Sequence, residues 1–506
     1  MVVLLAMLAI AVALLATSGK LRPDASDAES VASPSVPPVA MDARRAIRAR
    51  SCSHQHPATP NLDWLSSDDA SGDASAPTVI FVVMDTVRAD RTSLCGYGRP
   101  TTPTLERLAE LGASYACNSH SPSTWTLPSH ASFMTGRDLD EHHAGGGGSQ
   151  PLNWGSVTPL GARLPTLAEE MSGRGYQTLL LSGNPVVEER MGLTRGFDHL
   201  RSAEDFSEMH DCRLAAHLEH MLDHADLDSD RPLFAFINIA DPHSPWTEIP
   251  AGMGFVPPRE GLVAEPDAKR YESGRMDEIE AAQWLAHLSD VYDFALWRAD
   301  RSLALVLDVL RTQGWLDRGY RLVITSDHGE YLGEHQLIEH GRPHFYEPVT
   351  RVPLLYLSSE NRTKLASDAP AIVAHALARD GAVPNPMPPR RASAFRSKSR
   401  VSAPFPPCSH STAALWAGTS KLSANRGQVL RFDLNADPEE LRPLAAGDDP
   451  SAAALLDYCR KLDDAYVSRD APDAELTAQL QAQLRALGYL EAEPQGRSSE
   501  LPSELR

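Results

Sequence analysis

Acidic, amide and imidazole side chains follow the apolar runs of this sequence at four points. Asp85 comes directly after TVIFVVM, and Asp327 with His328 comes after RLVITS. Asn184 follows TLLLSG, and His243 follows LFAFINIADP. Two carboxylates and an imidazole suit a hard or borderline divalent cation. Asp85, Asp327 and His328 therefore predict a metal site for one ion rather than two. The candidates are Mn, Zn and Ca, and the imidazole favours Mn or Zn over Ca.

A hydroxyl group suited to nucleophilic attack lies between the first two runs. In the segment SPSTWTLPSHASFMTGR, Pro128 and Ser129 suit the first turn of a helix. Thr126 then lies just ahead of a helix N-terminus, where backbone N–H groups and the helix dipole favour an anion. Next to a bound cation its hydroxyl would be acidified and could attack an electrophilic sulfur or phosphorus. Thr126 is a candidate nucleophile, and the alternative is that it only caps the helix.

Strands and helices alternate along the part of the chain that carries these residues. Apolar, β-branched runs such as Thr78–Asp85 are typical of strands buried on both faces. Helices are predicted between the runs at Pro103–Leu111, Leu164–Ser172 and Tyr292–Thr312. This alternation predicts an α/β fold with a mostly parallel central sheet flanked by helices. In such sheets ligands bind outside the carboxyl ends of the strands, which is where the polar residues lie.

Composition limits the function and divides the chain. The 506 residues carry a formal net charge of -20, which argues against a nucleic-acid partner because such proteins need a basic footprint. The predicted parts are a signal peptide or N-terminal anchor (1–17), a disordered linker (18–76), a catalytic α/β domain (77–360), a proline-rich loop or linker (361–410), a small C-terminal subdomain with a sheet and a terminal helix at Leu476–Leu490 (411–491), and a tail (492–506).

Residues 1–17 are uncharged and almost wholly apolar. They predict export to the periplasm or the extracellular space, or anchoring to the membrane through the N-terminus. The six cysteines leave two alternatives open, one or two disulfides or buried unpaired thiols.

Several segments together resemble the sulfatase family of the alkaline-phosphatase superfamily. They are VVMDTVRADRTSLCGYGRPTTPTLERLAELG, STWTLPSHASFMTG, GYQTLLLSGN, ADPHSPW, ITSDHGEYLGEH and EHGRPHFYEPVTRVPLL. LRFDLNADPEELRPLA and LRALGYLE are similar to C-terminal segments of that family. The resemblance covers about residues 77–491, with 360–410 poorly matched. It implies an alkaline-phosphatase-like fold and the hydrolysis of sulfuric or phosphoric esters.

The resemblance also implies roles for the residues that match the family motifs. Asp85 matches the first metal-binding Asp, and Asp327 matches the late one. His328 stands where sulfatases usually carry Asn, and where phosphonate and phosphate diester hydrolases of the superfamily carry His. Thr126 matches the nucleophile position.

Four further residues are assigned to the anion pocket by the same comparison. His243 matches a His that contacts the anionic group or the leaving oxygen, and His340 aligns with a late Lys or His near the leaving group. Both are candidate catalytic residues. His130 and Asn184 are candidate substrate-binding residues, and all four are expected on the anion side, opposite the metal.

Several positions depart from the family pattern. Sulfatases use a formylglycine made by oxidising Cys or Ser, and Thr126 cannot give that aldehyde. His130 replaces the signature Arg, and Thr86 replaces the second Asp of the usual metal pair. Asn184 and Val186 stand where many arylsulfatases carry Lys and His.

The sequence therefore predicts a sulfatase-like, metal-dependent hydrolase with Thr126 as the metal-bound nucleophile. Its substrate would be an anionic ester of a small molecule, glycan or lipid. Thr nucleophiles are normal in the superfamily's nucleotide pyrophosphatases and phosphoethanolamine transferases. The alternative is therefore a phosphodiester or phosphonate hydrolase, or a phospho-group transferase. A second alternative is a non-catalytic pseudo-enzyme that binds sulfated or phosphorylated glycans, although a mere binder has no need of a nucleophile.

Overall fold

The computed structural model describes residues 62–66, 76–146, 157–206, 208–246, 249, 256–257, 265–342, 344–360, 362–395 and 406–467. The predicted signal peptide or anchor (1–17), the terminal helix Leu476–Leu490 and the tail (492–506) lie outside the described residues. So does most of the linker predicted over 18–76. None of the described helices combines the length and the apolar character needed to cross a lipid bilayer.

Strands in the described residues form a central sheet, a C-terminal sheet and two small two-stranded sheets, β3-β4 and β9-β10. In chain order they are β1 (Thr78–Met84), β2 (Ser114–His120), β3 (Gly145–Gly146), β4 (Val157–Thr158), β5 (Gln177–Ser182), β6 (His199–Ser202), β7 (Leu233–Ile239), β8 (Tyr320–Thr325), β9 (Tyr331–Leu332), β10 (Ile338–Glu339), β11 (Arg351–Ser358), β12 (Arg390–Phe395), β13 (Ser411–Ala417), β14 (Ser420–Asn425), β15 (Gln428–Asp433) and β16 (Leu444–Ala445).

Helices connect and cover these strands. They are α1 (Pro103–Glu110), α2 (Thr126–Thr135), α3 (Leu139–His142), α4 (Leu167–Gly173), α5 (Cys212–His224), α6 (Glu265–Glu272), α7 (Glu278–Thr312), α8 (Glu347–Thr350), α9 (Ala374–Asp380) and α10 (Pro450–Val467). Short 3-10 turns occur at Asp63–Ser66, Ala89–Arg91, Ser93–Cys95, Glu189–Met191, Glu334–Gln336 and Ala371–Val373.

A seven-stranded sheet with the order β2-β11-β8-β1-β7-β5-β6 forms the centre of the fold. Strands β8, β1, β7, β5 and β6 run parallel, whereas β11 is antiparallel to both β8 and β2. The predicted mostly parallel sheet is therefore confirmed. Because the parallel strands share one direction, their carboxyl ends meet at one edge of the sheet.

Both faces of the central sheet are covered by apolar side chains. Successive residues of a strand point to opposite faces, so Ile80 and Val82 of β1 pack on one side with α5 and α7. Phe81 and Val83 pack on the other side with α2 and α9. Burial of one such side chain stabilises the fold by roughly 1.5–3 kcal/mol, and this double burial explains why β1 is a continuous apolar run.

Helix α2 is held close against α9. Gly136 follows α2 with a φ of 65°, in the left-handed region where glycine is favoured. A Cβ atom at Gly136 would lie 2.8 Å from the His375 ring of α9. A side chain at this position would therefore push α2 away from its neighbour, and α2 carries Thr126 and His130.

The small C-terminal sheet is antiparallel, with the order β12-β13-β14-β15-β16. Helix α10 packs on it, with Leu455 and Leu462 against Ala413 and Leu422. Buried polar contacts join this sheet to the central sheet: Trp416 Nε1 donates to Glu347 Oε1 at 2.8 Å, and His120 Nε2 lies 3.2 Å from Glu347 Oε2. The predicted C-terminal sheet is thus present and docked by both apolar and charged groups.

The described cysteines are all disulfide-bonded, Cys212 included, so unpaired thiols are excluded for them and the expected one or two disulfides are too few. Cys95 pairs with Cys117, and Cys408 pairs with Cys459, with Cα–Cα distances of 5.6 and 4.8 Å. Among the described cysteines none has a free thiol. The first disulfide ties the segment after β1 to β2, and the second ties α10 to the segment before β13.

Two ranges predicted as linkers are partly folded. Within 18–76, Leu62 and Leu65 of the first 3-10 turn are buried in the core on the α5 and α7 side. Within 361–410, α9 packs on the central sheet and β12 forms the edge of the C-terminal sheet. Neither element could be predicted from the sequence. Helix α9 is short and has few apolar residues, and the segment between α9 and β12 is rich in proline.

Candidate active site

The strand ends bring the candidate residues together at one edge of the central sheet. Asp85 follows β1, Asn184 follows β5, and Asp327 follows β8. In the ladder Val83 of β1 pairs with both Asn238 of β7 and Thr325 of β8, so the strands end at the same level. The positions predicted from the apolar runs therefore converge in space.

Asp85, Asp327 and His328 form a cluster whose donor atoms all lie within 4.8 Å of one another. His328 Nε2 is 3.3 Å from Asp327 Oδ2 and 3.9 Å from Asp85 Oδ1. These three atoms are buried, and among the described residues none of them has a hydrogen-bond partner. Unpaired buried polar atoms are costly. Two carboxylate oxygens and an imidazole nitrogen facing one another fit a divalent cation.

The other ring nitrogen of His328 and the other carboxylate oxygen of Asp327 form hydrogen bonds that orient the two side chains. His328 Nδ1 lies 3.0 Å from the Gly329 carbonyl oxygen, so Nδ1 donates to that oxygen and Nε2 is turned toward the two carboxylates. Asp327 Oδ1 accepts from the backbone N–H groups of Thr86 at 3.3 Å and His328 at 3.0 Å. Metal-binding histidines and carboxylates are typically held by contacts of this kind.

The pKa values of the two carboxyl groups in the cluster also indicate a site for positive charge. Burial, and then the neighbouring Asp327 carboxylate, raise the pKa of Asp85 to about 7. Burial opposes the charge of Asp327 as well, but His328 lowers the pKa of that carboxyl to about 2. Two buried carboxylates at this separation cannot both be ionised without a compensating cation.

Thr126 is the first residue of α2 and is fully buried. Its Oγ1 accepts a hydrogen bond from Asn184 Nδ2 at 3.1 Å, and the same amide nitrogen donates to Asp85 Oδ2 at 2.6 Å. Asn184 thus ties the hydroxyl of Thr126 to a carboxylate of the cluster. The predicted cap role is not seen, because the residue ahead of the helix is Trp125 and α2 has no side-chain cap.

His130 lies one turn after Thr126 on the same helix. Its Nδ1 is 3.0 Å from the carbonyl oxygen of Thr126 and 3.5 Å from Asp327 Oδ2. Burial lowers the pKa of His130. His130 and Asn184 were expected opposite the metal, but both lie against the carboxylates of the cluster. Their predicted roles in substrate binding stay predictions.

His243 and His340 lie beside the cluster, on the far side of His328. The His340 ring centroid is 4.2 Å from that of His328 and 4.9 Å from that of His243. The His243 ring stacks on Phe206 at 3.8 Å. Burial lowers the pKa of His243 to about 3, and it lowers that of His340 well below its usual range. Both imidazoles are therefore neutral near pH 7.

Sequence reasoning missed two polar residues of the site. Asn238 Nδ2 lies 3.3 Å from Asp85 Oδ2 and 3.2 Å from His130 Nε2. Glu330 Oε1 lies 3.0 Å from His340 Nδ1, and both residues are buried. The one sequence signal for Asn238 is that it is a polar residue within an apolar run. Glu330 comes two residues after His328 and carried no separate signal.

The family model described as Sulfatase matches residues 77–378, more than half of the chain. The chain belongs to the sulfatase family. Comparison with curated protein sequences returned no match. Family membership supports an enzyme that acts on sulfate or phosphate esters, which agrees with the prediction from the motifs.

Solved structures of similar fold include two phosphonate monoester hydrolases. That of Agrobacterium radiobacter has a TM-score of 0.56 at 17% identity and covers 77% of this chain and 95% of its own. That of Silicibacter pomeroyi has a TM-score of 0.54 at 18% identity and covers 79% and 97%. A structure in complex with its substrate D-glucosamine-2-N,6-O-disulfate has a TM-score of 0.54 at 16% identity and covers 79% and 100%. At these identities the likeness confirms the alkaline-phosphatase-like fold.

Proposed function

We propose that this sulfatase-family protein is a metal-dependent hydrolase of anionic esters in which Thr126 is the nucleophile. The observation that carries the proposal is the convergence of the buried Thr126 hydroxyl, through Asn184, on the cluster of Asp85, Asp327 and His328. These three residues would hold one divalent cation. The bound cation would acidify the hydroxyl and offset the charge of the ester oxygens.

The residues of the chain supply the remaining chemistry. Thr126 Oγ1 attacks the sulfur or phosphorus atom, the bond to the leaving oxygen breaks, and a covalent ester of Thr126 forms. The proton of the Thr126 hydroxyl is lost to solvent. Burial raises the pKa of Glu330 well above its ordinary value, so we propose that Glu330 donates to His340 Nδ1 and that Nε2 carries the ring proton. His340 then passes the Nε2 proton to the leaving oxygen while Nδ1 takes the proton of Glu330, with His243 beside it. Water then attacks the covalent ester and restores the Thr126 hydroxyl.

The second candidate is the hydrolysis of phosphodiesters or phosphonate monoesters, or the transfer of a phospho-group. The chemistry of Thr126 and the groups that surround the cluster both favour it. Thr126 cannot form the aldehyde that sulfatases use. Water hydrolyses the ester of a phospho-threonine more readily than that of a sulfo-threonine. In the part of the chain that the structure describes, the ion pairs and hydrogen bonds of Asp85, Asp327 and Thr126 are made with amides, imidazoles and backbone groups. Phosphonate monoester hydrolases among the similar folds support the same substrate class.

A panel of aryl substrates tests the proposal. The purified protein would be assayed with an aryl sulfate, a phosphate monoester, a phosphodiester and a phosphonate monoester, each with added Mn, Zn, Ca or Mg. We expect metal-dependent turnover that is removed by a chelator. Turnover of the phosphorus esters above the sulfate would support the second candidate. Binding of sulfated or phosphorylated glycans with no turnover of any ester would instead support the pseudo-enzyme.

Export is proposed from the disulfides. Structural disulfides such as Cys95–Cys117 and Cys408–Cys459 persist in oxidising compartments and are rare in the cytosol. An exported or membrane-anchored location would give the enzyme access to glycan or lipid esters. Thiol quantitation of the protein isolated from its native compartment would test this, and reduced cysteines at these four positions would contradict it.

A further inference from the structure

Asn238 stands between two groups of the site and contacts both. It is the sixth residue of the seven in β7, fully buried, and flanked in the sheet by Val83 of β1 and Ser182 of β5. Its Nδ2 lies 3.3 Å from Asp85 Oδ2 and 3.2 Å from His130 Nε2. One carboxamide nitrogen carries two hydrogens, so Asn238 can donate to both acceptors at once.

We infer that Asn238 is a positioning residue that keeps Nε2 of His130 a hydrogen-bond acceptor and fixes which oxygen of Asp85 faces the metal. The inference rests on the proposed function only where it concerns metal binding. The part that concerns His130 depends on hydrogen bonds within the protein alone.

The orientation of the Asn238 amide follows from the chemistry of its neighbours. Asp85 Oδ2 accepts a hydrogen bond from Asn184 Nδ2 at 2.6 Å. Because this oxygen is an acceptor, the amide oxygen of Asn238 cannot face it and the nitrogen must. Asn238 Oδ1 is buried and has no hydrogen-bond partner among the described residues. An apolar residue in this strand would avoid the cost of that unpaired carbonyl. The two donated hydrogen bonds are therefore what the amide contributes.

The first consequence concerns His130. Because Asn238 donates to Nε2, that nitrogen must be the acceptor, and the ring proton must sit on Nδ1. Nδ1 in turn lies 3.0 Å from the Thr126 carbonyl oxygen and 3.5 Å from Asp327 Oδ2. His130 is thus held as a neutral ring that donates toward the backbone of the nucleophile. It occupies the place of the family's Arg without its charge.

The second consequence concerns Asp85. Asn184 and Asn238 both donate to Oδ2, at 2.6 and 3.3 Å, while Oδ1 faces His328 Nε2 at 3.9 Å. The two amides hold one oxygen and leave the other directed into the cluster. Groups that orient a metal ligand in this way typically contribute about 10–100-fold to metal affinity or activity.

Two measurements on the full-length protein test the inference. Long-range ¹H–¹⁵N spectra of histidine-labelled, metal-free protein at neutral pH report the tautomer of His130, assigned from the signal lost in His130→Gln. Titration with Mn²⁺ alone, followed by electron paramagnetic resonance, reports metal affinity without any substrate. The variants are Asn238→Ala, Asn238→Asp and a matched control far from the cluster, Asn118→Ala.

We expect wild-type His130 to be neutral with its proton on Nδ1. In Asn238→Ala the Thr126 carbonyl oxygen still accepts from Nδ1, so the proton stays there, but the ¹⁵N signal of Nε2 should shift because that nitrogen has lost its donor. Asn238→Ala should bind Mn²⁺ about 10–100-fold more weakly. Asn238→Asp should bind it at least as weakly, because it places an acceptor against Asp85 and His130. Asn118→Ala should leave both readouts unchanged. If Asn238→Ala fails to fold, Asn238→Ser, which keeps one hydroxyl donor, replaces it and should show an intermediate Mn²⁺ affinity.

Three results would overturn the inference. A wild-type His130 protonated on Nε2, or on both nitrogens, would exclude the proposed amide contact. Wild-type Mn²⁺ affinity in Asn238→Ala would show that Asp85 needs no such orientation. Tighter Mn²⁺ binding in Asn238→Asp would show that position 238 faces the metal itself. If the wild type binds no divalent cation, the metal site of the proposed function fails, while the His130 spectrum still decides the first part.

Discussion

Replacing Thr126 by alanine removes the reacting hydroxyl and leaves the proposed metal ligands in place. Oγ1 has one hydrogen bond, from Asn184 Nδ2 at 3.1 Å, and that nitrogen keeps its 2.6 Å bond to Asp85 in the variant. One N–H of Asn184 loses its acceptor, which costs about 1–3 kcal/mol. A loss of this size lowers stability but leaves a domain with typical stability of about 5–15 kcal/mol folded.

The expected effect on catalysis is much larger than the effect on stability. Without the hydroxyl no covalent ester can form, so we expect kcat to fall by at least about 10³-fold, which corresponds to about 4 kcal/mol of transition-state stabilisation. Thr126→Ser keeps the hydroxyl, and should retain turnover within roughly tenfold, or about 1.4 kcal/mol. Metal affinity should change little in either variant, because Asp85, Asp327 and His328 are untouched.

The assay combines steady-state turnover of the best aryl substrate, Mn²⁺ titration and intact-protein mass spectrometry of acid-quenched reactions. Wild type and Thr126→Ser should show the added mass of a phospho- or sulfo-group, located to position 126 by peptide mapping. Thr126→Ala should show none. Wild-type turnover in folded, metal-binding Thr126→Ala would refute the role of Thr126 as nucleophile and leave it a buried residue at the start of α2.

Four further outcomes are expected. Asp327→Ala should weaken Mn²⁺ binding at least tenfold in calorimetry and abolish turnover, and unchanged metal content would contradict its role as a ligand. Lys421→Met should lower the free energy of unfolding in urea by about 3–5 kcal/mol, because the Lys421 side chain is 1% exposed and lies between Glu347 and Glu440. The control is Lys461→Met, which should change that free energy by less than about 0.5 kcal/mol because the Lys461 side chain is 64% exposed. Burial would raise the pKa of Glu347, but His120 and Lys421 hold it below its ordinary value of 4.5. The stabilisation from a lowered carboxyl pKa is present above that value and lost as pH falls below it, so thermal melts of the wild type should fall in acid more steeply than those of Glu347→Gln. Replacing Cys95 and Cys117 by serine should cost about 3 kcal/mol, since the disulfide closes a loop with a sequence separation of 22, and an unchanged melting temperature would contradict this.

The ends of the parallel strands could be predicted because two simple signals coincide there. An apolar run such as the one before Asp85 indicates a strand buried on both faces, and the residue after it must lie at the carboxyl edge of the sheet. The same reasoning located Asp327 and His328, and the structure places all three in one cluster. No knowledge of side-chain direction was needed for this step.

Side-chain direction is what the sequence did not provide. Asn184 and His130 were placed in the anion pocket, whereas the structure turns both toward the carboxylates. Asn238 was missed because a strand buried on both faces has no alternating pattern against which one amide stands out. A solvated imidazole has a pKa of about 6.5, but burial lowers the pKa of His243 to about 3, and burial cannot be read from a motif.

Relative to the family pattern, the departures remove fixed charge of both signs from the site and leave it with one positive charge fewer in total. His130 and Asn184 replace an Arg and a Lys, and Thr86 replaces an Asp, so the site has lost two positive charges and one negative charge. Thr86 now contributes its backbone N–H to Asp327 at 3.3 Å, with a φ of 56°. The remaining carboxylates, Asp85 and Asp327, would balance one divalent cation, and burial lowers the pKa of His130, His243 and His340 so that these three rings are neutral.

A site with this balance has little fixed positive charge to spare for its substrate. Each additional negative charge on a buried ester raises the cost of binding when no partner offsets it. Phosphodiesters, phosphonate monoesters and sulfate monoesters carry one negative charge at neutral pH, whereas phosphate monoesters carry close to two. Charge therefore disfavours phosphate monoesters, and the Thr126 hydroxyl disfavours sulfates because a sulfo-threonine is hard to hydrolyse. If Thr126 is the nucleophile, as proposed, we therefore expect monoanionic phosphorus esters to be turned over faster than either phosphate monoesters or sulfates.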